Sequence, residues 1–209
     1  MPHTEVDLVL VNGQSVDFAH VVEDGDRVAV YPVFEALDVA LVTRVRPEPL
    51  REPRFLLDVH LGRLAAYLRL AGFDTAQPPG ASDEELAASS VAERRILLTR
   101  DQGLLKRRAV THGYYVRSAS PVEQLRETLS RFDLARRVVP FSRCLRCNVR
   151  LEPARAEDVA ERVPARVRES RREFTACPAC HRVFWTGTHH ERMRRLLERV
   201  LEPEPKPLS

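Results

Sequence analysis

Apolar and polar positions divide the chain into three sections and a tail. From Met1 to Glu48 the pattern is strand-like. Val6-Asp7-Leu8-Val9-Leu10-Val11 runs into the dipeptide Asn12-Gly13 and then Val16, and a second turn, Asp24-Gly25-Asp26, leads into Arg27-Val28-Ala29-Val30-Tyr31. Asn-Gly between apolar runs signals a hairpin, because both central residues of that turn need positive φ. Proline punctuation at Pro47, Pro49 and Pro53 predicts a linker.

From Arg54 to Pro140 strand and helix patterns alternate. Phe55-Leu56-Leu57, Ile96-Leu97-Leu98 and Tyr114-Tyr115-Val116 are short apolar runs that read as buried strands. Between them, Leu61, Leu64, Ala65, Leu68 and Ala71 recur at helical spacing, and Gly72 ends that helix. Ser82-Asp83-Glu84-Glu85 has the form of a capping box, which opens a second helix through Leu86, Ala87 and Val91. Asp101 begins a third helix, and Pro121 to Phe132 is amphipathic, with Val122, Leu125 and Leu129 on one face. Strands alternating with helices predict an α/β fold with a mostly parallel sheet and flanking helices. The third section, Phe141 to Leu201, holds all four cysteines and closes with a basic helix over Glu191 to Val200. Residues 202–209 are proline-rich and predict an extended, disordered tail.

Length and composition narrow the class. The 209 residues suit two or three small modules. With 44% hydrophobic and 30% charged residues, a packed core is supported and wholesale disorder is excluded. The apolar runs are far too short to span a bilayer, so no membrane partner is expected. The N-terminus lacks a basic segment followed by an apolar one, so no secretory signal is read and a cytoplasmic protein is expected. The net charge is only +3, yet residues 1–50 carry −6, residues 51–140 carry +4 and residues 141–209 carry +5. Of the 33 basic residues 31 are Arg. Arg is the better bidentate phosphate ligand, but a GC-rich genome alone explains an Arg excess.

The cysteines form two knuckles, Cys144-Leu145-Arg146-Cys147 and Cys177-Pro178-Ala179-Cys180. Two Cys-x-x-Cys turns supply four thiolates, the closed tetrahedral shell of a structural Zn²⁺. The competing reading is a pair of disulfides, which rarely persist in a reducing compartment. The Arg-rich stretch between the knuckles reads as a solvated helical face or as a phosphate-contacting flap.

Three aspartates stand where a parallel sheet would gather them. Asp58 follows the strand Phe55-Leu56-Leu57, Asp101 follows Ile96-Leu97-Leu98-Thr99-Arg100, and Asp83 starts the intervening helix. Ligands of open α/β sheets bind beyond the carboxyl ends of the strands. Carboxylates converging there suit Mg²⁺ or Mn²⁺, which can activate water against a phosphodiester. Each is equally a helix cap or first-turn acid, worth about 0.5–2 kcal/mol as a cap. Asp83 has the weakest claim, because Ser82 and Glu85 already explain that helix start. Arg63 near a helix start could meet a phosphate, and Arg100, Lys106, Arg107 and Arg108 add positive charge around Asp101.

Phe55-Leu56-Leu57-Asp58-Val59-His60-Leu61-Gly62-Arg63-Leu64-Ala65, Leu68 to Asp74 and Ile96-Leu97-Leu98-Thr99-Arg100-Asp101 resemble the PIN-like RNase domain at the C terminus of the Mut-seven exonuclease. Arg143 to Asn148, Cys177 to Cys180 and Val183-Phe184-Trp185-Thr186-Gly187-Thr188-His189 resemble that family's zinc ribbon. The resemblance covers Arg54 to Leu201. It implies a PIN-like fold, an RNA substrate, and a divalent metal held by Asp58 and Asp101, with Asp83 as a third acid. Arg63, Arg100 and Ser118 would contact phosphate or metal-bound water. PIN domains usually carry a fourth acid after the next strand, where this chain has Arg117 and Ser118. One or two metals therefore stay open, as does a non-catalytic RNA-binding or ribosome-associated module.

Val11 to Asp17 and Asp24 to Pro32 resemble the ubiquitin-like β-grasp domain that precedes this RNase domain in bacterial members. Without a terminal Gly-Gly, conjugation chemistry is not implied, and a protein partner through this segment is. The first hairpin and helix of a β-grasp would lie ahead of Met1. The expectation is a longer original protein, or a partial domain (residues 1–48) that completes itself against the RNase domain (54–140), which is followed by the ribbon and its helix (141–201).

Overall fold

The computed structural model describes residues 3–32, 34, 39, 41–45, 52–171 and 173–202. Most of the expected linker, the tail from Pro203 onward and Arg172 lie outside them. Along the chain the elements are β1 (Val6–Val11), β2 (Gln14–Val16), β3 (Val28–Pro32), β4 (Arg54–Leu57), α1 (Gly62–Leu70), β5 (Asp74–Ala76), α2 (Asp83–Ala92) and β6 (Ile96–Thr99). They continue with α3 (Gln102–Leu105), β7 (Gly113–Tyr115), α4 (Pro121–Arg131), β8 (Glu152–Ala154), α5 (Ala165–Ser170), β9 (Phe174–Ala176), β10 (Val183–Phe184) and α6 (Thr188–Leu201). Two compact units result. One comprises Met1–Gly62, Gln77–Arg117 and Arg131–Asp133, the other Arg63–Ala76, Ser118–Ser130 and Leu134–Ser209.

The first unit is built on parallel strands. β4 pairs with β6 through Phe55↔Ile96, Leu56↔Leu97 and Leu57↔Leu98, and β6 pairs with β7 through Leu97↔Gly113, Leu98↔Tyr114 and Thr99↔Tyr115. Phe55, Leu56, Leu57, Leu97 and Leu98 are fully buried, as continuous apolar runs in a parallel sheet should be. Phe132 closes one end, its ring 5.8 Å from both Phe55 and Tyr114. Because β4 and β6 run the same way, their carboxyl ends, Leu57 and Thr99, lie at one edge and deliver the next residues to it.

The N-terminal strands form an antiparallel sheet of order β2-β1-β3. The Asn12-Gly13 turn takes the positive φ values of 51° and 84° that its hairpin requires. A short 3₁₀ turn, His3–Glu5, connects this sheet to the parallel strands. The His3 ring bonds the Val110 carbonyl at 3.0 Å. The buried Glu5 carboxylate accepts from the Tyr115 backbone N–H at 3.3 Å and from Arg117 at 3.4 Å. The N-terminal segment thus leans on β7, caps one of its backbone groups and satisfies its own buried acid.

The second unit carries α1, which ends where Gly72 takes φ +98°; a Cβ there would stand 2.4 Å from the Val139 carbonyl oxygen. Its antiparallel sheet has the order β10-β9-β8 and packs over a small core of Val159, Val163 and Phe174. Trp185 is half-buried against that core. The final helix begins at Thr188, three residues earlier than the apolar pattern indicates, because its first turn is polar.

Candidate functional site

Asp58 is delivered by the end of β4 and is only 6% exposed. It caps the following 3₁₀ turn, Val59–Leu61, and one carboxylate oxygen accepts from the His60 N–H at 2.8 Å. The other accepts a hydrogen bond from the Thr99 hydroxyl. The Asp58 carbonyl accepts from the Gln77 amide at 2.7 Å. No cation pairs with this buried carboxylate among the described residues.

Asp101 is held on the neighbouring strand end. It is the N-cap of α3, accepting from Gly103 N–H at 2.6 Å and Leu104 N–H at 3.4 Å, and its side chain stays exposed. Its own N–H donates to the Thr99 hydroxyl oxygen at 2.9 Å. Thr99, fully buried, therefore links the two aspartates, one through each role of its hydroxyl. The sequence pattern did not single out Thr99, since a threonine closing an apolar strand reads as an ordinary β-branched residue. Its place two residues before Asp101 was the available signal.

Asp83 is placed differently. Ser82 and Glu85 form the full capping box at the start of α2, with Ser82 N–H donating to Glu85 at 2.7 Å. These bonds hold the Glu85 carboxyl below its ordinary range, the backbone N–H of Ser82 being the main cause and its hydroxyl the second. Asp83 and Glu84 engage Arg107 at 3.7 and 3.1 Å. The structure joins Asp58 to Asp101 through Thr99 and turns Asp83 to a cation instead. The three aspartates do not form a group within one metal's reach: among the described residues the cysteines are the only cluster of three or more such ligands.

Arg100 is exposed beside Asp101 and donates to the Arg117 carbonyl at 3.4 Å. Arg117, at the position where the sequence resemblance implies a fourth acid, stacks over Tyr114 at 5.2 Å and pairs with Glu5. Arg63 and Ser118 belong to the second unit. Arg63 is exposed on the first turn of α1. Ser118 donates its N–H to Glu127 at 2.8 Å and accepts at its carbonyl from Gln124 at 3.0 Å.

The four cysteines converge in the second unit. Their sulfurs lie within 4.8 Å of one another, with Cys144 and Cys177 buried, and no disulfide joins them. Each knuckle turns the same way. Asn148 N–H bonds the Cys144 carbonyl and His181 N–H bonds the Cys177 carbonyl, both at 2.9 Å. The residue after each second cysteine is left-handed, Asn148 at φ 62° and His181 at φ 58°. The Cys180 thiol is lowered to about 7, chiefly by the Arg182 backbone N–H. Cys147 is pushed up to about 12, first by its hydrogen bond with Cys180 and then by burial.

Around the first knuckle stands buried Arg69, a residue that spacing alone assigned only to a helix. It donates to the carbonyls of Thr75 at 2.9 Å, Leu145 at 2.9 Å and Arg146 at 3.1 Å. Burial pulls its pKa down, and the Cys144 and Cys147 sulfurs, followed by Asp74, push it back up. Asn148 adds bonds to Thr75 N–H at 2.9 Å and Asp74 at 2.8 Å. Such outer partners orient metal ligands.

These features define a class: an α/β protein with acids at adjoining parallel strand ends and a four-cysteine ribbon of the metal-binding kind. Residues 53–197 match the family model described as "Mut7-C RNAse domain", and residues 1–38 match "Mut7-C ubiquitin". The chain belongs to the Mut7-C RNase domain family, with that family's ubiquitin domain in front. No curated protein and no solved structure matches the chain. Among the described residues no helix is long and apolar enough to cross a membrane.

Proposed function

We propose that this protein is a metal-dependent ribonuclease that hydrolyses RNA phosphodiester bonds at the strand-end site of Asp58 and Asp101. The observation that carries this reading is the Asp58 carboxylate. It is buried, has no cationic partner among the described residues, and is tied through Thr99 to a second acid at the same sheet edge. A buried carboxylate is costly unless it is paired or coordinates a metal. Hard oxygen donors of this kind fit Mg²⁺ or Mn²⁺.

Asp58 and Asp101 would hold the divalent ion, which when bound supplies Lewis acidity and an activated water. Thr99 keeps one Asp58 oxygen and the Asp101 backbone in register. The α3 N–H groups fix the other acid. Arg63, Arg100 and Ser118 would hold phosphate, and Asp83, released from Arg107, would be the third acid. The cysteine cluster would hold Zn²⁺ as a closed, structural site. The protein would act on RNA in the cytoplasm, with its ubiquitin-like segment (1–48) engaging a protein partner, its RNase domain over 54–140 and its ribbon and final helix over 141–201.

Labelled single-stranded RNA tests this reading. Cutting with added Mn²⁺ and none with a chelator is expected. The second reading, an RNA-binding module without catalysis, is favoured by Arg117 standing paired to Glu5 where a fourth acid belongs. RNA bound and left uncut with either metal would select it.

A further inference from the structure

The second unit holds two adjoining openings that the strand-end acids do not use. The first is a cavity of about 660 Å³, within the size range of small-ligand pockets. Trp185, Phe141, His190, Phe184, Arg166 and Arg171 line it. The second, of about 1070 Å³, runs along α6 past Arg171, Arg192, Arg195 and Arg199. Arg171 and the segment Thr186–Thr188 line both, so the two are continuous.

Three observations point to a flat, anionic occupant. Trp185 is only half-buried: it packs on the ribbon core and also lines the cavity. Phe141 stacks on His190, with ring centroids 3.8 Å apart, from a backbone at φ 59° that bulky residues rarely adopt. The buried Nδ1 of His190 has no hydrogen-bond partner among the described residues and stands 4.0 Å from the Glu191 carboxylate.

The charge is complementary to phosphate. Four acids also line the two openings, Glu191, Glu198 and Glu202 in the groove and Glu173 in the cavity, and Arg194 engages the first two, Glu191 at 2.9 Å. Arg171 and Arg192 carry no ion pair among the described residues. The start of α6, capped by no side chain, adds its backbone N–H groups between them.

We propose that the cavity and groove form one track for single-stranded RNA, with an unpaired base stacked on Trp185 and the adjoining phosphates held by Arg171, Arg192 and Arg195. Proteins that bind single strands pair aromatic platforms with basic grooves in this way. A duplex keeps its bases stacked on one another, so the track selects unpaired segments. This inference rests on the ribonuclease reading for its choice of nucleic acid and adds where the substrate is gripped.

Trp185 is the only tryptophan in the chain, so its fluorescence reports the track directly. The test uses the full zinc-loaded chain carrying Asp58→Asn and Asp101→Asn, titrated with an unlabelled RNA of about eight nucleotides, a length common for single-strand binding sites. Tryptophan quenching should follow binding. Trp185→Ala should weaken binding about ten-fold or more, while Trp185→Phe keeps most of it. Arg192→Glu should weaken binding and flatten its salt dependence.

Blunt duplex RNA should leave the fluorescence unchanged. Saturating single-stranded RNA with no quenching, or equal quenching by duplex, would overturn the proposal, as would quenching by an acidic peptide but not by RNA. Should Trp185→Ala lose zinc, the unsubstituted track and Trp185→Phe still decide. Cleavage by the wild-type chain is measured separately, so failure of the track and failure of the ribonuclease reading are distinguishable.

Discussion

At the scale of single residues, Thr99 and Arg69 organise the two centres without being acids or thiols. Thr99→Val keeps the shape and removes the hydroxyl that serves Asp58 and the Asp101 N–H. Leaving a buried acceptor unsatisfied costs about 1–3 kcal/mol. A loss of stability of that size, read as a lower melting temperature, and a lower cleavage rate are expected; an unchanged melting point would deny the link. Arg69→Met removes the donor to the Leu145 and Arg146 carbonyls. Loss of such an outer partner weakens metal affinity about 10–100-fold, and chelator competition would measure it. Both residues were hard to read from sequence. A threonine ending a strand and an arginine in a helix are ordinary, and only long-range placement gives them roles. Asp58 and Asp101 stood out in the sequence because each follows a buried apolar run within a residue or two of its end, where a parallel sheet turns its chain.

At the scale of elements, the strong patterns predicted what formed. The apolar runs became β4, β6 and β7, the Asn12-Gly13 turn closed a hairpin, and Ser82 to Glu85 made the capping box at α2. The three-residue strands β5, β8 and β9 and the two-residue β10 carry no period of their own, so sequence alone passed over them. In the ribbon, β8, β9 and β10 are held by pairing across the sheet. The capping box gives two checks. Ser82→Ala should cost about 1 kcal/mol of stability, read by denaturant melting. The Glu85 carboxyl, held below its ordinary range by Ser82, contributes stability that is fully present above the unfolded-state pKa of about 4.3. That contribution is lost as pH falls through the lowered folded-state value. A carboxyl resonance titration should place Glu85 below ordinary glutamates, and a value at or above them would contradict the bonded box.

At the scale of the whole molecule, the two candidate centres stand in different units. The acids stand in the unit of parallel strands, and the cysteines stand in the unit of the ribbon. The ribbon's own apolar core, Val159, Val163 and Phe174, is small, so metal rather than burial should hold it. Chelation of zinc, or Cys177→Ser, should melt β8 to β10 and expose Trp185 to solvent, seen as a red-shifted emission. An emission spectrum indifferent to zinc removal would argue for a self-sufficient core. The sequence's charge gradient also finds its place. The acidic N-terminal section puts Glu5 against Arg117, and the basic third section lines α6 with arginines.

The central claim is that Asp58 and Asp101 form a metal-dependent cutting site. Its most direct test is cleavage of labelled single-stranded RNA with Mn²⁺ by the wild-type chain, by Asp58→Asn and by Asp101→Asn, each checked for zinc content and melting temperature. The account predicts cutting by the wild type and its loss in both folded variants. Undiminished cutting by either variant, or no cutting by the wild type while RNA is still bound, would contradict it.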